Sequence, residues 1–249
     1  MTPAMTPPSP TQNDPAPTSP PETPGPPIGL LQSGGLDSSI LLAELLCQGH
    51  RVQPFYVRSH LIWEDAELRA VERFSHAMAE RFPGRMDPRV VLDLPVDDLY
   101  HGHWSVTGRE TPGEGSPDEA VYLPGRNLLL LVKAAVWSRS HGIDEIALGL
   151  LRSNPFGDAT NAFFEQFQAV CNVALGGRLR FVRPFGHLSK AQVMALGRGL
   201  PLEATFSCIA PVDGLHCGRC NKCAERRAAF GALGGADPTP YVHGLSLTP

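Results

Sequence analysis

Apolar residues along the chain alternate between short continuous runs and longer stretches in which they recur every three or four positions. The short runs have the length of strands, and the longer stretches carry one apolar face, as helices packed on a sheet do. Strands are predicted at residues 28–32, 52–57, 90–94, 143–150 and 179–182. Helices are predicted around residues 40–46, 64–81, 128–138 and 163–170, and after the capping box 189–192. This alternation predicts an α/β fold, a doubly wound parallel sheet with ligands at the carboxyl ends of its strands.

Two segments between these elements lack any such periodicity. Residues 95–123 are rich in Gly, Pro and His, and residues 152–160 form a second polar stretch before a helix. Loops as long as the first segment usually cover or line a binding site when they lie inside compact domains. Both segments are therefore predicted to be functional loops.

The first 27 residues differ in composition from the rest of the chain. They contain eleven of the 25 prolines and no Leu, Ile, Val, Phe, Lys or Arg. Such a segment cannot bury enough apolar surface to offset the entropy of ordering it. We expect a disordered tail at 1–27, an α/β domain at 28–200 and a C-terminal extension at 201–249.

Composition also bears on location and partners. The tail lacks the basic and apolar regions of a targeting signal, and no run approaches the roughly 20 apolar residues of a membrane span. A cytoplasmic protein without membrane contacts is expected. The net charge of −4 and the pI of about 6.1 argue against broad nucleic-acid binding, although arginines at 126, 152, 178, 180 and 183 leave a local basic patch open.

The strongest local motif lies between the first strand and the first helix. It reads Ser33, Gly34, Gly35, Leu36, Asp37, Ser38, Ser39. Two glycines let consecutive backbone N–H groups converge on an anion at a helix N-terminus, and the serines add hydroxyl donors. Asp37 is suited either to capping the helix or to holding a phosphate-bound Mg²⁺. Neither G-x-x-x-x-G-K-[ST] nor G-x-G-x-x-G occurs here, which excludes the two commonest nucleotide loops. The motif resembles the loop with which ATP pyrophosphatases hold the phosphates of ATP.

A second motif consists of four cysteines near the C-terminus. They are Cys208, Cys217, Cys220 and Cys223, with the spacing C-x8-C-x2-C-x2-C. Four thiolates from a loop and a knuckle form a closed tetrahedral site, which predicts a structural Zn²⁺. The close C-x2-C-x2-C spacing leaves an iron–sulfur cluster as the alternative. Gly214 and Gly218 permit the tight turns, and the basic residues at 219, 222, 226 and 227 are expected to offset the negative charge of the thiolates.

The remaining candidate ligands do not form a recognisable pattern. His60, His101 and His103 are accompanied by no carboxylate or cysteine at a metal-binding spacing, so a second metal site is not expected. Cys47 and Cys171 lie in helical stretches and are predicted to be buried packing residues.

The motifs occur in an order that resembles one enzyme family. The phosphate loop, the run Leu-Pro-Gly-Arg-Asn-Leu-Leu at 123–129, Leu-Ser-Lys-Ala at 188–191 and the cysteine array are similar, in this order, to those of the 7-cyano-7-deazaguanine synthases. The resemblance spans residues 28–230. It implies an adenine nucleotide α-hydrolase-like fold with a C-terminal helical zinc-binding extension, and a homodimer. It also implies conversion of 7-carboxy-7-deazaguanine and ammonia to the nitrile through adenylated intermediates.

The resemblance assigns roles to individual residues. Residues 33–39 would bind ATP with Mg²⁺, and Asp37, Ser33, Arg126 and Lys190 would carry the catalysis. Structural zinc would lie on the four cysteines. Phe156 and Asp158 are candidates for binding the deazaguanine, or else a buried aromatic residue and a turn aspartate.

Three other functions are compatible with the same motifs. They are an ATP pyrophosphatase that acts on another carboxylate, a tRNA-thiolating enzyme, and a nucleotide-binding module without turnover. A tRNA enzyme requires a basic surface and a reactive cysteine, and neither is evident in the sequence. Retention of Ser33, Asp37 and the serine pair argues against a non-catalytic module.

Overall fold

A computed structural model describes residues 26–242 of the chain. The strands are β1 (Ile28–Leu31), β2 (Val52–Arg58), β3 (Val90–Asp93), β4 (Glu145–Leu148) and β5 (Arg180–Val182). The helices are α1 (Leu36–Cys47), α2 (Glu64–Arg81), α3 (Trp104–Thr107), α4 (Arg126–Ser140), α5 (Asn161–Leu175), α6 (Lys190–Leu196) and α7 (Asn221–Gly231). Short 3-10 turns lie at Asp118–Val121, Gly157–Ala159 and Leu202–Ala204. All but residues 26 and 27 of the predicted N-terminal tail lie outside the described residues.

The strands of the described chain form one parallel sheet in the order β3-β2-β1-β4-β5. β1 lies at the centre, and the chain builds outward to β2 and β3 before it returns to β4 on the other side. This reversal opens a crevice at the carboxyl ends of β1 and β4, where doubly wound sheets bind ligands. The predicted fold class is confirmed.

Helices cover both faces of the sheet. Leu30 of β1 packs into a core with α1, α6 and the second half of α2, where its neighbours include Ile40, Val193 and Phe74. On the opposite face, Ile146 of β4 packs against α4 and α5. The nearly continuous apolar composition of the central strands follows from this burial on both faces.

The observed helix bounds follow from local sequence signals. α2 covers the predicted residues 64–81, and α6 begins with the predicted capping box, in which Ser189 and Gln192 bond each other's backbone N–H groups. α1 begins at Leu36, before its apolar repeat, because its first turn belongs to the phosphate loop. The loop 95–123 contains α3 and a 3-10 turn, which its irregular composition did not predict.

The prediction that both isolated cysteines are buried is half wrong. Cys171 is 7% exposed and packs between α5 and the sheet. Cys47 is exposed, because it is the last residue of α1 and follows the two buried leucines at 45 and 46 onto the solvent side. Within residues 26–242, no helix is long and apolar enough to cross a membrane.

Candidate active site

The phosphate loop connects β1 to α1 in a conformation that leaves the helix N-terminus open. Gly34 has a φ of +71°, and its carbonyl accepts a hydrogen bond of 2.7 Å from the backbone N–H of Phe206. The N–H of Ser33 donates to the hydroxyl of Ser38 over 3.1 Å. Gly35 is the N-cap residue, and among the described residues no side chain caps α1. The first N–H groups of α1 therefore remain available to an anion.

The end of β4 touches this helix terminus closely. A Cβ atom on Gly149 would lie 3.0 Å from the Asp37 carbonyl carbon and 3.0 Å from the Ser38 nitrogen. Gly34 is confined as well, since a Cβ atom there would lie 3.0 Å from the carbonyl oxygen of Glu67. The two glycines allow three backbone segments to meet at the loop.

The loop borders a cleft at the carboxyl ends of β1 and β4. One part is a cavity of about 360 Å³ and the adjoining part has about 640 Å³. Ser33, Gly35, Leu36, Asp37 and Ser38 line the first part. Ser39, which was expected to face phosphate with them, is fully buried, and its hydroxyl has no partner within the described chain.

Asp37 and Lys190 meet in this cleft. The Lys190 ammonium donates to both carboxylate oxygens of Asp37, over 2.8 and 2.9 Å, although the residues are 153 positions apart. Burial raises the pKa of Asp37, and the charge of Lys190 acts in the opposite direction. The alternative that Asp37 is only a helix cap is therefore wrong, since its carboxylate bonds Lys190 and not the backbone of α1.

A second ion pair extends this contact. Glu225 of α7 lies 3.7 Å from the Lys190 ammonium and accepts from the Lys222 ammonium over 2.6 Å. Burial acts to raise the pKa of Glu225, but the charges of Lys222 and Lys190 hold it below its usual range. Four charged side chains thus form one chain of contacts along the wall that both parts of the cleft share.

The other end of the first cavity carries Arg126 and Glu67. Arg126 begins α4, and its guanidinium lies 5.6 Å from the ring centre of Trp63. The hydroxyl of Tyr56 donates to Glu67 over 2.8 Å. Burial raises the pKa of Glu67 to about 7, while Arg126 acts to lower it. Sequence reasoning assigned Glu67 no role, because it lies with Glu64 and Asp65 in the acidic first turn that many helices have.

The two candidates for binding the deazaguanine are separated. The Asp158 carboxylate accepts from the Asn127 backbone N–H over 2.9 Å and so caps the start of α4. Phe156 stacks on Tyr122 with ring centres 4.7 Å apart and lines the larger part of the cleft. Of the two candidates, Phe156 lines the cleft and Asp158 does not.

The four cysteines converge in a buried cluster. Their sulfur atoms all lie within 4.8 Å of one another, with 3.8 Å between Cys208 and Cys220 and 3.9 Å between Cys217 and Cys223. A tetrahedral Zn²⁺ with Zn–S bonds of about 2.3 Å requires sulfur atoms about 3.8 Å apart, which this cluster matches. The backbone N–H groups of Ala210 and Cys217 both donate to the sulfur of Cys208 over 3.3 Å. The cluster can therefore hold a metal such as zinc.

The surroundings of the cluster agree in part with the prediction. Gly214 and Gly218 adopt φ values of +78° and +82° in the turns between the ligands. Arg227 donates to the Gly218 carbonyl, whereas Arg226 is buried and donates to Thr205, Thr239 and the Leu202 carbonyl.

Among residues 26–242 the cysteines form the one group of three or more potential metal ligands, and His103 instead caps α3.

Comparison with known proteins identifies the family. A family model described as "Queuosine biosynthesis protein QueC" matches residues 29–234. This chain belongs to the QueC family. A 7-cyano-7-deazaguanine synthase of Thiobacillus denitrificans is 33% identical over 229 residues, which cover 86% of this chain and 97% of that one. The synthase of Solidesulfovibrio magneticus is 34% identical over 232 residues, covering 85% and 94%.

The resemblance predicted from the motif order is confirmed by these relatives. As a QueC family member, the chain is an enzyme of queuosine biosynthesis. A solved 4-thiouridine synthetase–RNA complex with bound ATP matches 84% of this chain and 50% of its own at 14% identity, with a TM-score of 0.46. So distant a likeness adds nothing to the assignment.

Proposed function

We propose that this enzyme uses ATP to convert 7-carboxy-7-deazaguanine and ammonia into 7-cyano-7-deazaguanine. The chain matches two relatives over 97% and 94% of their length, and both are named 7-cyano-7-deazaguanine synthase after this product. The observation that carries the proposal is the open N-terminus of α1, with Asp37 and Lys190 beside it in the cleft. Such an arrangement suits a magnesium-bound polyphosphate.

The first half of the reaction activates the carboxylate. Its oxygen attacks the α-phosphorus of ATP, and the bond to the pyrophosphate oxygen breaks. The N–H groups at the start of α1, the hydroxyls of Ser33 and Ser38 and the ammonium of Lys190 would hold the negative charge on the departing pyrophosphate. Asp37 would hold Mg²⁺, which supplies charge neutralisation between the phosphates. Arg126, at the other end of the cavity, would orient the carboxylate.

The second half introduces nitrogen. Ammonia attacks the acyl carbon, AMP leaves with the electron pair of the broken C–O bond, and a proton is lost from nitrogen. Glu67, whose pKa is about 7, is suited to take that proton. The oxygen of the resulting amide then attacks a second ATP. Loss of pyrophosphate, two protons and AMP leaves the nitrile.

The experiment is a pyrophosphate-release assay with 7-carboxy-7-deazaguanine and ammonia, followed by mass analysis of the product. Two pyrophosphates per nitrile are expected. Omission of ammonia should prevent amide and nitrile formation. Pyrophosphate release with a different carboxylate or with tRNA, but not with this substrate, would replace the proposal with one of the related ATP pyrophosphatase functions.

We also propose that the cysteine cluster holds one Zn²⁺ and that the enzyme is a homodimer. The dimer proposal rests on exposed apolar side chains on two helices that cover the same face of the sheet. They are Val132 and Val136 on α4 and Val170 and Val173 on α5, and they are between 45% and 87% exposed. Apolar patches of this kind mark interaction surfaces. Light scattering should give twice the chain mass, and Val136→Glu should return it to that of one chain.

A further inference from the structure

The distribution of lysines in this chain is uneven. The sequence contains three lysines, Lys133, Lys190 and Lys222, among 21 basic residues. Lys133 is exposed on α4, whereas the other two line the cleft. Lysine presents a compact charge with rotatable donors, which suits the tetrahedral oxygens of a phosphate chain. Two of the three lysines thus lie where the proposed substrate would place its phosphates.

The backbone around Lys222 is fixed by the cysteine knuckle and by the long loop. The N–H of Cys223 donates to the Cys220 carbonyl over 3.1 Å, and the N–H of Asn221 donates to the Pro112 carbonyl over 3.0 Å. The side-chain amide of Asn221 donates to the Ser116 carbonyl over 2.8 Å. Lys222 therefore extends into the cleft from an anchored position.

Glu225 holds both lysines of the cleft in place. It accepts from Lys222 over 2.6 Å and lies 3.7 Å from Lys190, whose ammonium also bonds Asp37. The four formal charges sum to zero. All four side chains remain 26% to 44% exposed and open to an incoming ligand. Glu225 competes with a phosphate for the same two ammonium groups.

We infer that Lys222 is a further phosphate-binding residue of this enzyme, and that Glu225 holds Lys222 and Lys190 until the nucleotide arrives. The inference rests on the proposed use of ATP. In the nucleotide complex, Asp37 would hold the Mg²⁺ that accompanies ATP. Lys190 would then exchange its contact with Asp37 for phosphate oxygens, and Lys222 would exchange its contact with Glu225 for phosphate oxygens. The two residues of α7 then have opposite effects on affinity, since one donates to the phosphates and the other repels them.

Binding of a non-cleavable ATP analogue with Mg²⁺, measured by titration calorimetry, tests both effects. Lys222→Gln should weaken binding roughly tenfold or more, as expected for loss of a charged hydrogen bond. Glu225→Gln should tighten it several-fold, and the matched control Lys133→Gln should leave it unchanged. Unaltered affinity in Lys222→Gln, or weaker binding in Glu225→Gln, would overturn the inference. If the wild-type enzyme bound no nucleotide, the proposed function would fail as well.

Acetylation of the wild-type enzyme with an amine-reactive reagent gives an independent answer that needs no variant. Mass spectrometry should show that the analogue with Mg²⁺ protects Lys222 and Lys190, while labelling of Lys133 stays the same. Equal labelling of Lys222 with and without the analogue, at concentrations that saturate calorimetric binding, contradicts its contact with phosphate and leaves the ATP proposal intact.

Discussion

The sequence motif does not indicate the partner that Asp37 has in the structure. The motif allowed a helix cap or a magnesium ligand, and the structure pairs the carboxylate with Lys190 instead of with the backbone of α1. Asp37→Asn should therefore fold normally and lower pyrophosphate release by about 100-fold or more, because one preorganised charge is lost. Turnover and melting temperature of the variant are the two measurements. Near-wild-type turnover would remove Asp37 from the mechanism.

Glu67 makes the free energy of unfolding of this protein depend on pH. Its folded-state pKa of about 7 exceeds the 4.5 of an ordinary glutamate because the carboxyl group is buried. A raised pKa favours folding while the group is protonated, so this contribution is complete below pH 4.5 and is lost as pH rises through about 7. Glu67→Gln should remove that part of the pH dependence.

The measurement is the free energy of unfolding from pH 5 to 8. Glu72→Gln, on the same helix with a 55% exposed carboxylate, is the matched control and should keep the wild-type profile. An unchanged profile in Glu67→Gln would show that its carboxyl group titrates as an exposed one does.

Single residues also show what the sequence could not specify. The four candidate catalytic residues line one cleft; they are Ser33, Asp37, Arg126 and Lys190. Ser39 does not, because the turn of α1 that follows Asp37 rotates its hydroxyl into the protein. A motif fixes which residues are adjacent in sequence, but the helix decides which of them face the ligand.

At the scale of elements, the phosphate loop depends on how closely β4 approaches α1. A Cβ atom on Gly149 would meet the backbone of Asp37 and Ser38 at 3.0 Å, and backbone cannot yield as a flexible side chain can. Gly149→Ala should cost about 1–3 kcal/mol of stability and weaken nucleotide binding, because the start of α1 must shift. Calorimetric binding and denaturant unfolding measure the two effects.

Gly231→Ala is the control for this substitution. Gly231 is the last residue of α7 and has open space around its Cα. Alanine there should be neutral or slightly stabilising, since it favours helix more than glycine does. If Gly149→Ala and Gly231→Ala changed stability and nucleotide binding to the same extent, the phosphate loop would not depend on the close approach of β4 to α1.

Elements with strong local signals could be predicted, and those defined by tertiary contacts could not. α2 has a full amphipathic repeat and α6 a capping box, and both begin as the sequence indicates. α3 has four residues and follows the His103 cap inside a loop with no repeat. Such a short helix is stabilised by its surroundings, here the stack of Trp104 on Trp63, and leaves no periodic pattern to detect.

At the scale of the whole molecule, the strand order decides the active site. The alternation of elements predicts a parallel sheet, but not that β1 lies between β2 and β4. That order places Asp37 and Lys190 in contact across 153 positions of sequence, and it brings α7 to the same cleft. The sequence predicted both residues as candidates without predicting their ion pair, because pairing follows from topology.

The same topology joins the cysteine cluster to the cleft. Cys208 lines the cavity itself, and the backbone of Phe206 bonds the phosphate loop. Binding of a metal to four cysteines is part of the folding energy of the segment that carries them. Loss of the metal should therefore disturb the active site as well as the C-terminal region.

Elemental analysis of enzyme purified under anaerobic conditions should give one zinc per chain. Cys217→Ser should lose the metal and nucleotide binding together, and its melting temperature should fall by about 10 °C or more. Cys47→Ser is the matched control, since that thiol is exposed at the end of α1 and far from the cluster in sequence, and it should keep zinc, binding and melting temperature. Detection of iron together with a brown chromophore would contradict the zinc assignment and indicate an iron–sulfur cluster instead. Full nucleotide binding in metal-free Cys217→Ser would show that the cleft forms independently of the cysteine cluster.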